Sequence, residues 1–146
     1  MKEKLLISAC LLGNLCKYDG GTNTQPDELL AALRERFDLI PVCPETAGGL
    51  PIPRAPSERR DGRVFSREGK DVTAEYERGA QTALALAERF GCRKALLKER
   101  SPSCGTGLIY DGTFRHVCIP GDGVTAELLR AAGLSLCGES EAETLL

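Results

Sequence analysis

The 146-residue sequence has no C-x2-C cysteine pair, a single histidine and no long apolar run. Structural zinc sites usually take ligands from closely spaced cysteine pairs, so a zinc-finger type of site is not predicted. A cysteine nucleophile paired with a histidine is not favoured either, because His116 has no visible orienting partner. The short apolar runs argue against a membrane-spanning segment.

The charge pattern has no stripe of one sign. Basic and acidic residues alternate, as in Arg34-Glu35-Arg36, and the formal net charge is −2. A phosphate backbone is usually bound by a continuous basic surface, so no nucleic-acid partner is predicted. We therefore expect local recognition of a small molecule, and the oligomeric state is left open.

The segment Ile7-Ser8-Ala9-Cys10 has the small-residue character of a lipoprotein cleavage site. The apolar run before Cys10 is shorter than the roughly 7–15 residues that a signal-peptide core needs, so this interpretation is rejected. We expect a cytoplasmic protein whose seven cysteines persist as thiols or metal ligands, since an odd number does not suit a disulfide framework.

The length suits one domain, residues 1–146, with a single core. Apolar runs predict strands near residues 4–9, 38–42, 94–98 and 134–136. Helical spacing predicts a helix between each pair of successive strands, with Thr24, Thr73 and Thr125 as the N-caps. Phe37 is predicted to belong to the apolar stripe of the first helix. Alternating strands and helices indicate an α/β fold with a mostly parallel sheet.

Two stretches interrupt this alternation. Residues 48–69 are rich in Gly, Pro and Arg and predict either a binding segment or a solvated surface loop. Residues 108–119 predict a hairpin or a further loop around the turn Asp111-Gly112.

Three cysteines each lie just past a predicted strand: Cys10, Cys43 and Cys104. Parallel strands would bring these thiols to one carboxyl edge, where open α/β sheets place their sites. Each could instead be a small core residue, which is the common role of a free cysteine. That role is assigned to Cys92, Cys118 and Cys137. Pro44 biases Cys43 toward an extended backbone, so no helix is expected to begin there.

Dispersed thiolates suit an iron–sulfur cluster better than a zinc ion. A cluster held by three cysteines leaves one iron open to a substrate. Glu45 and Ser101 lie two and three residues from Cys43 and Cys104, so both could line the same pocket. Glu45 could serve as an acid and base there, or be an ordinary turn or helix-capping residue.

Linked motifs along nearly the whole chain resemble a small bacterial family that includes thiouracil desulfidase. They are SACLLG at 8–13, CKYDG at 16–20, CPE at 43–45, GGLP at 48–51, SPSCG at 101–105 and YDGTF at 110–114. The resemblance implies a single three-layer Rossmann-like domain and a 4Fe-4S cluster bound by Cys10, Cys43 and Cys104, with Cys16 as a reserve ligand or a thiol of the pocket wall.

The resemblance also implies a function. Glu45 and Ser101 match the family's acid/base and positioning residues, and the implied reaction is hydrolytic, non-redox removal of sulfur from a thio-nucleobase or a similar small thio compound. The alternative is a non-catalytic iron–sulfur or metal-binding module. A fourth protein ligand would favour that alternative, because the cluster would then have no open iron.

Overall fold

A computed structural model describes residues 2–146 of the chain. The strands are β1 (Glu3–Ser8), β2 (Phe37–Val42), β3 (Ser57–Arg60), β4 (Arg63–Ser66), β5 (Lys94–Leu97), β6 (Leu108–Tyr110), β7 (Cys118–Pro120) and β8 (Ser135–Gly138). The α-helices are α1 (Asp27–Arg36), α2 (Pro44–Ala47), α3 (Thr73–Phe90) and α4 (Val124–Ala131). Short 3-10 turns span Ala9–Leu12 and Glu139–Leu145.

The central sheet has four strands in the order β2-β1-β5-β8, and every pairing is parallel. Strand β1 lies inside the sheet and is buried on both faces, which explains its continuous apolar sequence. The parallel arrangement confirms the predicted α/β class and is that of a Rossmann-like domain.

Helices cover both faces of the sheet and create two apolar cores. Leu6 and Leu97 point to the core under α3 and α4, whereas Leu5, Ile7 and Leu96 pack on the side of α1 and the C-terminal 3-10 turn. Successive strand residues face opposite sides of a sheet, so one apolar run supplies both cores. Within residues 2–146, no helix combines the length and apolarity that crossing a bilayer requires.

Two antiparallel hairpins flank the sheet. Strands β3 and β4 form the first, within the segment 48–69 that has no helical period. Strands β6 and β7 form the second, so the hairpin alternative for residues 108–119 is correct.

The first helix begins later than predicted. Pro26 is the N-cap of α1, whereas Thr24 lies before the helix and shares a hydrogen bond with Thr22. Phe37 was expected in the apolar stripe of this helix, but it is the first residue of β2. Its side chain is buried in the same core as Leu30 and Leu33, so tertiary packing ended the helix where periodicity would have continued it.

The other two predicted N-caps are also wrong. Thr73 is inside α3, and its hydroxyl bonds the backbone of Val64 while Asp71 accepts the Thr73 N–H at 2.9 Å. Thr125 is inside α4, and its hydroxyl lies 2.7 Å from the Ser103 hydroxyl. Both threonines are buried, so long-range hydrogen bonds replaced the local capping bond that sequence alone suggested.

The expectation that no helix begins next to Cys43 is wrong as well. Helix α2 starts at Pro44, directly after Cys43, which stays extended with φ −112° and ψ 99°. A proline disfavours helical geometry in the residue before it and breaks a helix interior, but it is well suited to the first helical position because its missing N–H would be unpaired there anyway.

The Asp71 carboxylate gives a pH test of the α3 start. Hydrogen bonds from Thr73, and then from Arg63, lower the pKa of Asp71 to about 2, compared with about 3.9 in an unfolded chain. A carboxyl whose pKa is lower in the folded than in the unfolded state stabilises the fold at pH values above the unfolded pKa. This stabilisation is lost as the pH falls from about 4 to about 2. We expect Asp71→Ala to lower the melting temperature at pH 7 and to differ less from wild type at pH 2.5. Equal differences at the two pH values would contradict this.

Candidate active site

One cavity of about 320 Å³ lies at the carboxyl edge of the central sheet. The ends of β1 and β2, the loop after β5, and the segment 54–58 all contribute to its wall. Its lining includes every site residue singled out in the sequence, namely Cys10, Cys16, Cys43, Cys104, Glu45 and Ser101. The parallel sheet therefore brings together residues that are up to 94 positions apart in the chain, from Cys10 to Cys104.

The three cysteines at the strand ends reach the cavity by different routes. Cys10 lies in the 3-10 turn that follows β1, and Cys43 is the extended residue between β2 and α2. Cys104 follows β5 through a tight loop and is 4% exposed, so it belongs to both the cavity wall and the apolar core. The expectation that these thiols meet at one sheet edge agrees with this geometry.

Cys16 is a fourth thiol in the cavity wall. It is buried, and its backbone carbonyl accepts a hydrogen bond from Arg54 Nη2 at 2.9 Å. The Cys43 thiol points to the same carbonyl at 3.8 Å. Cys16 is thus tied to Cys43 through the backbone.

Burial dominates the acidity of these thiols. It raises the pKa of Cys10 and of Cys104, and the neighbouring Cys43 raises both further. Burial, followed by the nearby Cys43, raises the pKa of Cys16 to about 12. Burial in a region of low dielectric therefore favours the protonated form of these thiols.

A single shared metal ion does not suit this geometry. Within the described residues 2–146, no three His, Cys, Asp or Glu side chains are grouped closely enough to hold one ion. The donor atoms at the cavity are soft sulfurs, which favour iron–sulfur clusters, and a cluster offers iron atoms at separate corners to more widely spaced thiolates. The set therefore fits a polynuclear iron–sulfur group better than zinc.

Two donors hold the Glu45 carboxylate from one side. Tyr76 Oη donates to Glu45 Oε1 at 2.7 Å, and Arg54 Nε donates to the same oxygen at 3.2 Å. Because both bonds end on Oε1, the second oxygen, Oε2, is the one available to a ligand. Burial and then Glu45 raise the pKa of Tyr76, so its hydroxyl keeps its proton and remains a donor.

Backbone contact between α2 and α3 places Glu45 beside Tyr76. A Cβ on Gly79 would overlap the carbonyl oxygen of Pro44, and one on Gly48 would overlap that of Glu75. Any side chain at either glycine would force the helices apart. The two glycines therefore set the distance between the carboxylate and its donor.

Ser101 organises the loop that carries Cys104. Its Oγ accepts hydrogen bonds from the backbone N–H groups of Ser103 and Cys104, both at 3.0 Å. A hydroxyl has two acceptor lone pairs and one proton, so both lone pairs are engaged. Toward the cavity, the Ser101 hydroxyl can therefore act only as a hydrogen-bond donor.

The remaining cysteines stay out of the cavity lining. Cys92 is buried in the core beneath α3, Cys137 packs at the edge of the other core, and Cys118 is half-buried in β7.

His116 does line the cavity, although sequence reasoning gave it no part there. Arg54 and Tyr76 were not identified from the sequence either. For Arg54 the sequence offered two signals without a role, namely the dipeptide Pro53-Arg54 among the family motifs and its place in the Gly- and Pro-rich segment 48–69.

The Tyr76 hydroxyl should contribute to stability as well as to the site. Tyr76 is 1% exposed, and Tyr76→Phe removes one of the two donors to Glu45 Oε1. We expect a loss of about 1.5–3 kcal/mol in the free energy of unfolding, measured in urea with both proteins in the same metal state. Tyr18→Phe, at an exposed tyrosine, is the matched control and should change it by less than about 0.5 kcal/mol. Equal effects of the two changes would contradict the assigned bond.

The fold and the cavity define an α/β protein with a thiol-lined pocket that contains an anchored carboxylate. The family model described as 2-thiouracil desulfurase matches residues 5–141. The chain belongs to this family, and the resemblance inferred from its motifs is confirmed.

Two similar proteins cover almost the whole chain. One is the uncharacterized protein YbbK of Bacillus subtilis (strain 168), 38% identical over 152 aligned positions that cover 97% of this chain and 99% of the relative. The other is a solved structure described as a [4Fe-4S]-dependent thiouracil desulfidase, TudS. It is 46% identical with a TM-score of 0.91, and the match covers 99% of this chain and 100% of that one.

Proposed function

We propose that this protein is an iron–sulfur-dependent desulfurase that removes sulfur hydrolytically from thiouracil or a similar thio-nucleobase. The observation that carries the proposal is the shared cavity, which is lined by soft thiol donors and by the anchored Glu45 carboxylate. Membership of the 2-thiouracil desulfurase family and the likeness to a [4Fe-4S]-dependent thiouracil desulfidase support it. A carrier or storage module would have no use for a carboxylate held in this way.

The residues that would hold a 4Fe-4S cluster are Cys10, Cys43 and Cys104. Their sulfur atoms are the donor type that iron–sulfur clusters require, and the strand ends bring them to one cavity. Cys16 also lines the cavity and is assigned to its wall, because it is not the first cysteine after a strand of the central sheet, as the other three are. When bound, the cluster supplies a Lewis-acidic iron, free of any protein ligand, that polarises the carbon–sulfur bond of the substrate.

Glu45 moves the protons of the reaction. With Oε1 fixed by Tyr76 and Arg54, Oε2 takes a proton from the water that attacks the thiocarbonyl carbon. The same oxygen then returns a proton to the departing sulfur. Fixing one oxygen keeps the other oriented through both transfers, so no reorientation is needed at the moment of reaction.

Ser101 acts as a hydrogen-bond donor. Because its lone pairs hold the Cys104 loop, the Ser101 hydroxyl can orient water or substrate through its proton but cannot accept a proton in place of Glu45. The reaction balances as thiouracil plus water giving uracil plus hydrogen sulfide. The carbon keeps its oxidation state, so no electron donor is consumed.

Anaerobic reconstitution followed by turnover of 2-thiouracil tests this proposal. We expect uracil and sulfide in a one-to-one ratio, with no added reductant and no activity in protein from which iron has been removed. Sulfide release that requires a stoichiometric electron donor would contradict the hydrolytic chemistry. Full iron loading with no loss of thiouracil would contradict the desulfurase assignment.

The same proposal covers the organisation and setting of the chain. Residues 1–146 would form one cluster-binding α/β domain acting on a small thio compound, without nucleic acid or a membrane as partner. A cytoplasmic, reducing setting suits it, because thiolates and an open iron are prone to oxidation.

A further inference from the structure

A loop that contains and contacts aromatic side chains borders the cavity. None of its residues takes part in the proton transfers proposed for Glu45. It spans residues 111–117, between β6 and β7, and is called here the aromatic loop. Phe114 and His116 of this loop line the cavity together with Tyr110, the last residue of β6. Tyr110 and His116 contact each other edge to face, with ring centroids 6.0 Å apart.

The aromatic loop has an unusual backbone at both of its cavity-lining residues. Phe114 has φ 59° and His116 has φ 58°, which are left-handed values that residues with side chains rarely adopt. Such conformations cost free energy and persist only where the surroundings hold them, and they concentrate at ligand sites. Contacts with residues outside the loop must therefore hold its backbone, and with it the Phe114 ring, in this position.

A buried carboxylate holds the loop in place. Glu58, in β3, is 8% exposed, and its Oε1 accepts the backbone N–H groups of Gly112 at 3.0 Å and Phe114 at 3.1 Å. Burying a carboxylate is costly unless it is hydrogen-bonded, so these two bonds compensate for its burial. They also fix the backbone on both sides of Thr113.

Two further contacts seat the loop. A Cβ on Gly112 would lie 2.7 Å from Cβ of Arg60, so the loop rests directly on β3. The Arg67 guanidinium lies over the Phe114 ring, 5.7 Å from its centroid. Arg67 therefore supports the ring, and the half-buried ring also forms part of the cavity wall.

We propose that Phe114 is a specificity-determining residue that stacks on the flat ring of the substrate, and that Glu58 is the positioning residue that holds Phe114 there. Flat heteroaromatic rings gain stacking energy on an aromatic side chain, whereas small acyclic thio compounds do not. The inference deepens the proposed function and rests on it, because it assigns the residue that would recognise the ring of the proposed substrate.

Truncation of Phe114 tests the stacking contact. Base–aromatic stacking is worth about 1–3 kcal/mol per base, so Phe114→Ala should raise the KM for 2-thiouracil roughly tenfold and leave kcat within about threefold. Phe114→Tyr keeps the ring and should keep the KM within about threefold. Equilibrium dialysis of labelled uracil, which lacks the reacting sulfur, should show the same roughly tenfold loss of affinity for Phe114→Ala in the cluster-loaded protein.

Substitution at Glu58 tests the positioning role. Glu58→Met keeps the length of the side chain but removes the acceptor, and it should weaken uracil binding and raise the thiouracil KM in the same direction as Phe114→Ala. Glu58→Gln keeps a carbonyl oxygen for the two N–H groups and should restore both values to within about threefold of wild type. Iron content should stay normal in both variants.

The outcomes separate this inference from the function on which it rests. Wild-type protein that releases no sulfide from thiouracil would overturn the proposed function, whereas uracil dialysis tests the ring contact by itself. Unchanged uracil affinity in Phe114→Ala would overturn the stacking role. A Glu58→Met protein that melts earlier but binds uracil like wild type would reduce Glu58 to a purely structural residue.

Discussion

Replacing Cys10, Cys43 or Cys104 with serine is expected to abolish thiouracil turnover and to reduce bound iron to near background after anaerobic reconstitution. Each thiol lines the same cavity, and under the proposed function each supplies one of three protein ligands. Serine is similar in size but is a harder, poorer ligand for iron than a thiolate. Loss of any one ligand leaves too few soft donors to retain a cluster.

Cys118→Ser is the matched control for these variants. Cys118 is a half-buried residue of β7 that does not line the cavity, so iron content and turnover should stay close to wild type. Cys92→Ser should also keep its iron, with some loss of stability because that residue packs in the core. Loss of iron in the Cys118 variant would show that the ligand set is wrong.

Glu45→Gln is expected to lower kcat by about 10²–10⁴ without loss of iron. The amide keeps the size of the side chain and an oxygen that Tyr76 and Arg54 can bond, but it cannot take up and return a proton. The variant therefore removes the acid–base chemistry of the side chain while leaving its position unchanged. Metal analysis, visible absorption and steady-state rates on the same anaerobic preparation provide the measurement.

Glu77→Gln provides the control for the loss of a carboxylate. Glu77 is exposed on α3 and outside the cavity lining, so its variant should have wild-type kcat and iron content. If the Glu45 variant carries its full iron and still works at the wild-type rate, Glu45 serves only as a structural anchor. A bound water would then have to carry the proton.

Sequence reasoning placed the thiols at one edge because that prediction needs only local information. An apolar run marks a strand, and parallel strands share a carboxyl edge, so residues after β1 and β2 meet without any knowledge of side-chain contacts. Glu45 and Ser101 followed from their closeness in sequence to Cys43 and Cys104. Their roles remain predictions, because they depend on chemistry that strand positions do not determine.

The residues that sequence reasoning missed act over long separations. Tyr76 reaches Glu45 across 31 positions, and Glu58 reaches Phe114 across 56. In the sequence Tyr76 is one apolar position of a regular helix, and Glu58 is one charge in a Gly-, Pro- and Arg-rich segment. No local pattern distinguishes a buried carboxylate that holds a loop from a solvated one.

The misplaced helix starts have a similar cause. Thr73 and Thr125 are suitable capping residues, but the folded chain uses their hydroxyls to join neighbouring elements, Val64 in one case and Ser103 in the other. A capping bond is worth about 1 kcal/mol, which a buried long-range bond can equal.

The central claim is that three thiolates hold a cluster beside Glu45 and leave one iron without a protein ligand. A crystal structure of anaerobically reconstituted protein, with anomalous data collected at the iron edge, tests it most directly. The account predicts iron bonded to the sulfur atoms of Cys10, Cys43 and Cys104, with the fourth iron facing Glu45 and carrying no protein ligand. Iron bonded to Cys16 as a fourth ligand, or located away from this cavity, would contradict it.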